Sequence, residues 1–226
     1  MSDFRIDERD IRFVLWEQLK VDEKLNEIPR YSEFDKETYD MTLTEAIKLA
    51  VNEIAPINRC GDEEGCTFKD GKAYVPSCYK EVYEKHKNGG WIGLAGDPEF
   101  GGMGFPETVG IAISDIFASA SLAFVMYPGL TAEAAKLLLY YGSDEMKQKY
   151  VPKLYSGEWQ GTMCLTEPDA GSDVGNSKSV AVEKDGKYYI TGQKIFISSG
   201  DSNFLSFFAI RNSFNKSTMI SLESPG

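Results

Sequence analysis

The stretch WQGTMCLTEPDAGSD, residues 159–173 of this 226-residue chain, is the segment around which the rest of the sequence can be interpreted. Its apolar run, residues 163–165, predicts a short strand. The residues that follow combine Pro168 and Gly171 with small hydroxyl and carboxylate side chains, which is typical of a sharply bent loop. Such a loop presents backbone amides and the hydroxyls of Thr166 and Ser172 to whatever lies beside it. We therefore expect a binding site for a molecule with polar edges.

The segment KIFIS, which begins at Lys194, predicts a second strand beside this loop. Alternate residues of a strand face opposite ways, so Ile195 and Ile197 are expected to enter the core. Lys194, Phe196 and Ser198 are then expected on the other face. Phe196 and Ser198 would offer an aromatic ring and a hydroxyl to the same ligand.

The chain before residue 159 has the apolar spacing of α-helices. Thr42 and Glu45 form a capping-box pattern that predicts a helix start, and Pro56 predicts the end of that helix. Pro128 and Gly129 predict a break between two later helices. The predicted helical segments are 7–20, 42–55, 77–87, 106–127, 131–141 and 143–157.

After residue 159 the apolar spacing changes to the period of β-strands. Asp185 and Gly186 separate the strands 179–184 and 187–192, which is a strong hairpin signal. With 194–198 and 204–210, these predict an antiparallel sheet. We expect an α+β fold, in which an all-α N-terminal domain precedes an antiparallel β-sheet or barrel domain. The predicted divisions are a leader helix and extension (1–37), a helical domain (38–158) and a β domain (159–226).

Composition excludes several function classes. The net charge of −11 disfavours nucleic acid and anionic membrane surfaces, since both reward clustered Lys and Arg. No CxxC pair occurs and His86 is the only histidine, so we expect no metal centre and reduced thiols rather than disulfides. The cysteines are Cys60, Cys66, Cys78 and Cys164. No secretory signal and no apolar stretch approaching a membrane helix is evident, so we expect a cytoplasmic protein without membrane insertion.

The glycine-rich loop at residues 93–106 lacks the spacing of a phosphate-binding motif. It contains neither GxxxxGK[ST] nor GxGxxG, and no strand-loop-helix pattern surrounds it. We expect an irregular link between helices there.

Several blocks resemble the acyl-CoA dehydrogenase family. MCLTEPDAGSD followed by ITGQKIFIS is similar to that family's flavin-binding signature. More narrowly, the chain looks like the 3-methylmercaptopropionyl-CoA dehydrogenase branch. The blocks that carry this narrower resemblance are RDIRFVL, YSEFD, IAPINRCGDEEGC, DPEFGGMGFP and GEWQGTMCLTEP. The resemblance runs from about residue 10 to about residue 203.

The resemblance implies an FAD site with two contact segments. The first corresponds to Met163, Leu165, Thr166, Gly171 and Ser172, and the second to Phe196, Ile197 and Ser198. Ser172 is also implied to touch the acyl-CoA substrate. Many relatives have tryptophan in place of Phe196. Taken singly, the hydroxyls of Thr166 and Ser172 are also typical turn stabilisers.

The resemblance also implies a reaction, in which an acyl-CoA thioester loses its α-proton to a carboxylate and its β-hydride to FAD. The family's base is a glutamate on a C-terminal helical domain after the sheet. We expect that domain to be absent from this chain and the β domain to be incomplete, and therefore no catalytic residue before Gly226. Glu167 and Asp173 form a carboxylate pair by type, but the resemblance implies that they fix the loop. Expected partners are an electron-transferring flavoprotein and further copies of the chain. Two alternatives stay open: a silent truncated relative that binds flavin or a partner, and an acyl-CoA oxidase type.

Overall fold

The computed structural model describes residues 3–199, 204–209 and 218–223. The chain divides into two compact units, Met1–Met126 and Tyr127–Gly226. The predicted strand end at residue 210 and the tail 224–226 lie outside the described residues. The expected α+β fold is confirmed, because helices dominate the first part of the chain and antiparallel strands follow them.

The helices carry the N-terminal unit and the start of the second. Their bounds are α1 Glu8–Arg12, α2 Val21–Asn26, α3 Lys36–Leu49, α4 Ala55–Glu64, α5 Tyr79–Asn88, α6 Glu107–Tyr141 and α7 Asp144–Tyr155. Two wider π-helical segments extend α1 and α3, over Phe13–Gln18 and Ala50–Ile54. Short 3-10 turns lie at Pro29–Tyr31, Trp91–Gly93, Pro98–Phe100 and Val174–Asn176.

Among the described residues, the strands form three antiparallel pairs, and each pair is a separate two-stranded sheet. Their bounds are β1 Thr67–Lys69 with β2 Lys72–Tyr74, β3 Val180–Lys184 with β4 Lys187–Thr191, and β5 Phe204–Ala209 with β6 Thr218–Glu223. The hairpin at Asp185 and Gly186 is confirmed. Both residues have positive φ, 55° and 72°, which a two-residue turn of matching twist requires.

Two predicted helix boundaries are wrong. Pro56 does not end a helix, because the π-helical segment before α4 leaves it in the first turn of that helix, where no N–H is needed. The helix before it begins at Lys36 rather than Thr42, since the Asp35 carboxylate caps it by accepting from Thr38 N at 2.8 Å.

The break in α6 lies at Ser121 rather than at Pro128. Ser121 has φ −162° and ψ 99°, and its Oγ accepts from Phe124 N at 3.3 Å, as an N-cap does. Ser121 Oγ also donates to Asn58 Oδ1 at 2.9 Å. In the sequence, the only sign of this helix break was a serine inside an apolar run.

The helix α6 is longer and more apolar than predicted. Among the described residues, one helix, Glu107–Tyr141, is apolar and long enough to cross a membrane, and an 18-residue window of it has a mean hydropathy of 1.9. The prediction that no stretch approaches this length was wrong, since alanine, glycine and serine extend the apolar run. Core helices of globular proteins meet the same criterion, and Ile113, Ile116 and Phe124 of this helix are buried.

Cysteine pairing also differs from the expectation. Cys60 and Cys78 form a disulfide, whereas Cys66 and Cys164 are free. The end of α4 and the residue before α5 approach to a Cα–Cα distance of 6.7 Å. The two cysteines come together only through the packing of α4 and α5. Their spacing in the sequence therefore does not predict the bond.

Candidate functional site

A tight turn forms the centre of the predicted loop. Glu167 N donates to Ala170 O at 3.0 Å and Ala170 N donates to Glu167 O at 3.2 Å, with Pro168 and Asp169 at the tip. The bent loop is therefore confirmed. The strand predicted at 163–165 is wrong, because these residues belong to none of the strands among the described residues.

The second predicted segment is not a strand. Phe196 has φ +58° and is 86% exposed as a residue, whereas the side chain of Lys194 is only 10% exposed. The two residues were expected on one face, so the predicted alternation is wrong. A left-handed residue turns the chain there. Because a bulky residue rarely adopts that conformation, Phe196 is a backbone outlier of the kind that functional sites hold.

The two segments nevertheless lie side by side. Ile195 N donates to Thr166 O at 2.9 Å, and Lys194 Nζ donates to Leu165 O at 2.9 Å. These bonds join residues 165 and 166 of the first predicted contact segment to residues 194 and 195, which lie at the start of the second. Ser199 Oγ, at the end of the second segment, donates to Tyr127 O at 2.7 Å.

A buried ion pair fixes this junction. Lys194 Nζ lies 2.7 Å from Glu167 Oε1, and their side chains are 10% and 5% exposed. The same carboxylate accepts from Lys178 N at 2.6 Å and from Ser179 N at 3.0 Å. The hydrogen bond from Lys194 comes first among the causes that lower the pKa of Glu167 to about 2, and bonds from Ser179 and Lys178 follow. Glu167 is thus held as an anion by the protein.

The predicted contact residues differ in exposure. Met163 is 48% exposed and Gly171 and Ser172 are exposed, whereas Leu165, Thr166, Ile197 and Ser198 are half-buried. A Cβ added at Gly171 would meet nothing within 4 Å, and this glycine has no positive φ. The turn itself therefore does not require glycine at this position. An approaching ligand would find the backbone bare there.

Two buried polar residues were missed by sequence analysis. Gln160 and Thr162 are 7% and 1% exposed, and they lie on the extended segment that leads into the loop. Gln160 Oε1 and Thr162 Oγ1 have no hydrogen-bond partner among the described residues. A buried polar atom without a partner is costly unless a ligand or water satisfies it. The sequence could have indicated these two residues, because they are polar positions in the otherwise apolar run QGTMCL.

Gly161 holds this extended segment against α6. Its N–H donates to Thr131 Oγ1 at 3.2 Å, and Thr131 is fully buried. A Cβ at this position would overlap the Cβ of Ala134 and lie 3.6 Å from Leu154 Cδ2. The chain passes too close to the helix for any side chain.

We therefore expect Gly161→Ala to destabilise the C-terminal unit by about 1–3 kcal/mol, because the helix or the segment must shift. Gly171→Ala is the matched control and should change the free energy of unfolding by less than about 0.5 kcal/mol. Urea unfolding of both variants tests this. Equal stability of the two variants would contradict the close approach.

Family models match most of the chain. Residues 36–158 match the model of the acyl-CoA dehydrogenase N-terminal domain, and residues 162–222 match that of the acyl-CoA dehydrogenase middle domain.

Individual proteins are also similar. A 3-methylmercaptopropionyl-CoA dehydrogenase of Ruegeria pomeroyi is 39% identical over 85% of this chain and 33% of its own length. The broad-specificity linear acyl-CoA dehydrogenase FadE5 of Mycobacterium tuberculosis is 36% identical over 91% of this chain and 34% of its own length. A solved glutaryl-coenzyme A dehydrogenase complex with glutaryl-CoA superposes with a TM-score of 0.65 at 28% identity, over 78% of this chain and 43% of the other. The chain spans about a third of the length of these curated relatives.

Proposed function

We propose that residues 160–172 and 194–198 hold the flavin of an FAD-dependent acyl-CoA dehydrogenase. The chain belongs to the acyl-CoA dehydrogenase family, since it matches the models of that family's N-terminal and middle domains. The observation that carries this proposal is the junction of the two segments, where Ile195 N donates to Thr166 O at 2.9 Å. It brings the first and second predicted contact segments to one place. The reaction proposed is α,β-dehydrogenation of an acyl-CoA thioester to a 2-enoyl-CoA.

The residues present suit a flat ring with a polar edge. The hydroxyls of Thr166 and Ser198 are proposed to bond that edge, and the exposed ring of Phe196 to lie against a ring face. Gln160 Oε1 and Thr162 Oγ1 are buried without a partner among the described residues, so the segment that carries them is included in the proposed site. Bound FAD would supply the hydride acceptor. The protein's part is to hold the ring, satisfy its edge and keep one face open.

The acyl-CoA is proposed to approach along the exposed part of the loop. Ser172 is exposed and Gly171 leaves its backbone uncovered, so a long polar chain can run beside them. No residue of this chain is proposed as the base that removes the α-proton. Glu167 is unsuitable, because a base must be free to take a proton and this carboxylate already binds Lys194 and two backbone amides.

The remaining assignments are proposals that rest on family membership. We propose a cytoplasmic protein that passes electrons to an electron-transferring flavoprotein and assembles with further copies of itself. The domain change is proposed near residue 159, and the family-model matches, which end at 158 and resume at 162, support it.

Replacing both Thr166 and Ser198 with alanine is expected to weaken FAD binding roughly tenfold or more, because two hydrogen bonds to the ring are lost. The measurement is titration of the purified chain with FAD, followed by flavin absorbance and fluorescence. The control carries Thr108→Ala and Ser114→Ala, exposed hydroxyls of α6, and should bind as the parent does. If the parent chain takes up no FAD, the result favours a module that binds no flavin. Equal affinity of parent and site variant would contradict the residue assignment alone.

A further inference from the structure

The Cys60–Cys78 disulfide joins two helices of the N-terminal unit. Cys60 lies in the last turns of α4, and Cys78 is the residue immediately before α5. The two cysteines are 18 residues apart in sequence. Both are partly exposed, so a small reagent can reach them.

The chain enclosed by this bond buries little. Residues 61–77 contain the hairpin of β1 and β2, whose strand residues are all exposed except the half-buried Ala73, and Phe68 in the middle of β1 is 77% exposed. Such a loop contributes few core contacts of its own. The disulfide therefore sets how tightly the loop ends are held.

A second, non-covalent tie lies beside the bond. Glu64, four residues after Cys60 on α4, accepts from Ser77 N at 2.7 Å and from Ser77 Oγ at 2.8 Å. Ser77 directly precedes Cys78. When the disulfide is reduced, these two hydrogen bonds keep the thiols near each other. The bond can then form again without a large movement of the backbone.

The two sulfurs are placed differently for exchange. Cys78 is at the N-cap of the ten-residue helix α5, where the helix dipole favours an anion. Since the thiolate is the reactive form, Cys78 is the better nucleophile and the better leaving group. A carboxylate oxygen of Glu64 lies within 4.8 Å of both sulfurs and 4.0 Å from Cys60 Sγ, so its charge disfavours a thiolate at either cysteine, and only Cys78 has the helix dipole to offset it.

We propose that Cys60 and Cys78 form a reversible thiol–disulfide site whose reactants are low-molecular-weight thiols and disulfides. In oxidation, the Cys78 thiolate attacks a small disulfide and releases one small thiol. The Cys60 thiol then loses its proton, attacks Cys78 Sγ in the mixed disulfide and releases the second small thiol. The protein loses two electrons and two protons, and the small disulfide gains them. Reduction reverses these steps.

The test counts thiols in the purified chain equilibrated with reduced and oxidised glutathione at a series of ratios. After quenching with a maleimide under denaturing conditions, which expose the buried Cys164, mass spectrometry should find four labels at the reducing end and two at the oxidising end. Peptide mapping should assign the two lost labels to Cys60 and Cys78. Persistence of four labels under oxidising conditions would overturn the proposal, as would constant retention of the bond under excess reduced glutathione.

Variants separate this pair from the other thiols. Cys66→Ser removes the exposed free cysteine and should leave the two-label change intact, whereas Cys78→Ser should abolish it. Loss of the change in Cys66→Ser would mean that another pair reacts. Stoichiometric Zn²⁺ uptake by the reduced chain that blocks reoxidation at every glutathione ratio would also overturn the proposal, because the reduced cluster with Glu64 would then be a metal site.

Trypsin provides a readout without a variant. Lys69 and Lys72 are exposed in the enclosed hairpin, so cleavage there nicks the loop in either state. In the oxidised chain the two pieces should migrate as one species on a non-reducing gel. In the reduced and alkylated chain they should separate. Separation in both states would contradict the crosslink.

Discussion

Exchange of Glu167 for glutamine, or of Lys194 for methionine, is expected to reduce FAD retention to less than about a tenth of the parent value, since each change breaks a buried ion pair. Glutamine would leave the Lys194 ammonium buried without a counter-charge. Methionine would leave the Glu167 carboxylate without its cation and Leu165 O without its donor. Either change releases the loop that joins the two proposed flavin segments.

The structural part of this effect can be measured without flavin. Hydrogen exchange at the amides of Ser179 and Ile195 should accelerate in both variants, because these amides donate within the junction. Asp169→Asn is the matched control. Asp169 pairs with Lys178 at 3.0 Å in the same turn, but these side chains are 71% and 70% exposed. An exposed pair contributes little, so exchange and FAD retention should stay near the parent.

Two results would contradict this account. If Asp169→Asn had the same effect as Glu167→Gln, general loss of negative charge in the turn would explain both. If exchange accelerated while FAD retention stayed unchanged, the junction would be structural and the flavin assignment would be wrong.

Sequence analysis succeeded where local chemistry decides the structure. Asp185 and Gly186 predict a two-residue hairpin because both central residues need positive φ, and the Pro168 turn follows from the same kind of constraint. Helices with a clear apolar stripe, such as α5, were placed to within a few residues. The resemblance supplied the proposed flavin segments.

Two failures, the 194–198 segment and the disulfide, arise from interactions distant in sequence. The 194–198 segment has strand alternation, yet Lys194 turns inward because Glu167 offers it a buried partner 27 residues away. That ion pair outweighs the local preference of the segment. Pro56 shows a different failure: the usual rule assumes a regular helix before a proline, and a π-helical segment removes that condition. The disulfide likewise depends on how α4 and α5 come together.

Acidification from pH 6.5 to pH 4 is expected to destabilise the N-terminal unit by up to about 3 kcal/mol through His86. This side chain is 6% exposed and packs edge-on against Phe117 and Phe124, with ring centroids at 5.4 and 6.0 Å. Burial lowers its pKa from 6.5 to about 4. Its Nδ1 has no partner among the described residues, so the protein offers no group to stabilise the charged ring there.

The direction follows from proton binding. Between pH 6.5 and 4 the unfolded chain holds a proton on His86 that the folded chain does not, so each unit of acidification favours unfolding. The stability is fully present above pH 6.5 and is lost as the pH falls toward 4. Glu167 also favours unfolding on acidification, but at lower pH, because the fold lowers its pKa from 4.5 to about 2. The two groups are therefore separable by pH.

Urea unfolding followed by far-UV circular dichroism at intervals from pH 7.5 to pH 4.5 measures the effect. The parent midpoint should fall steadily below pH 6.5, whereas His86→Leu should hold its midpoint nearly constant down to about pH 4.5, where carboxylates begin to titrate. Leucine can lower the stability at all pH values by packing less well. The two proteins are therefore compared by how steeply the urea midpoint changes with pH, and not by the midpoint itself. Parallel slopes in the two proteins would mean that His86 is not the group that titrates. A pH-independent parent would mean that the ring acquires its proton without leaving the core.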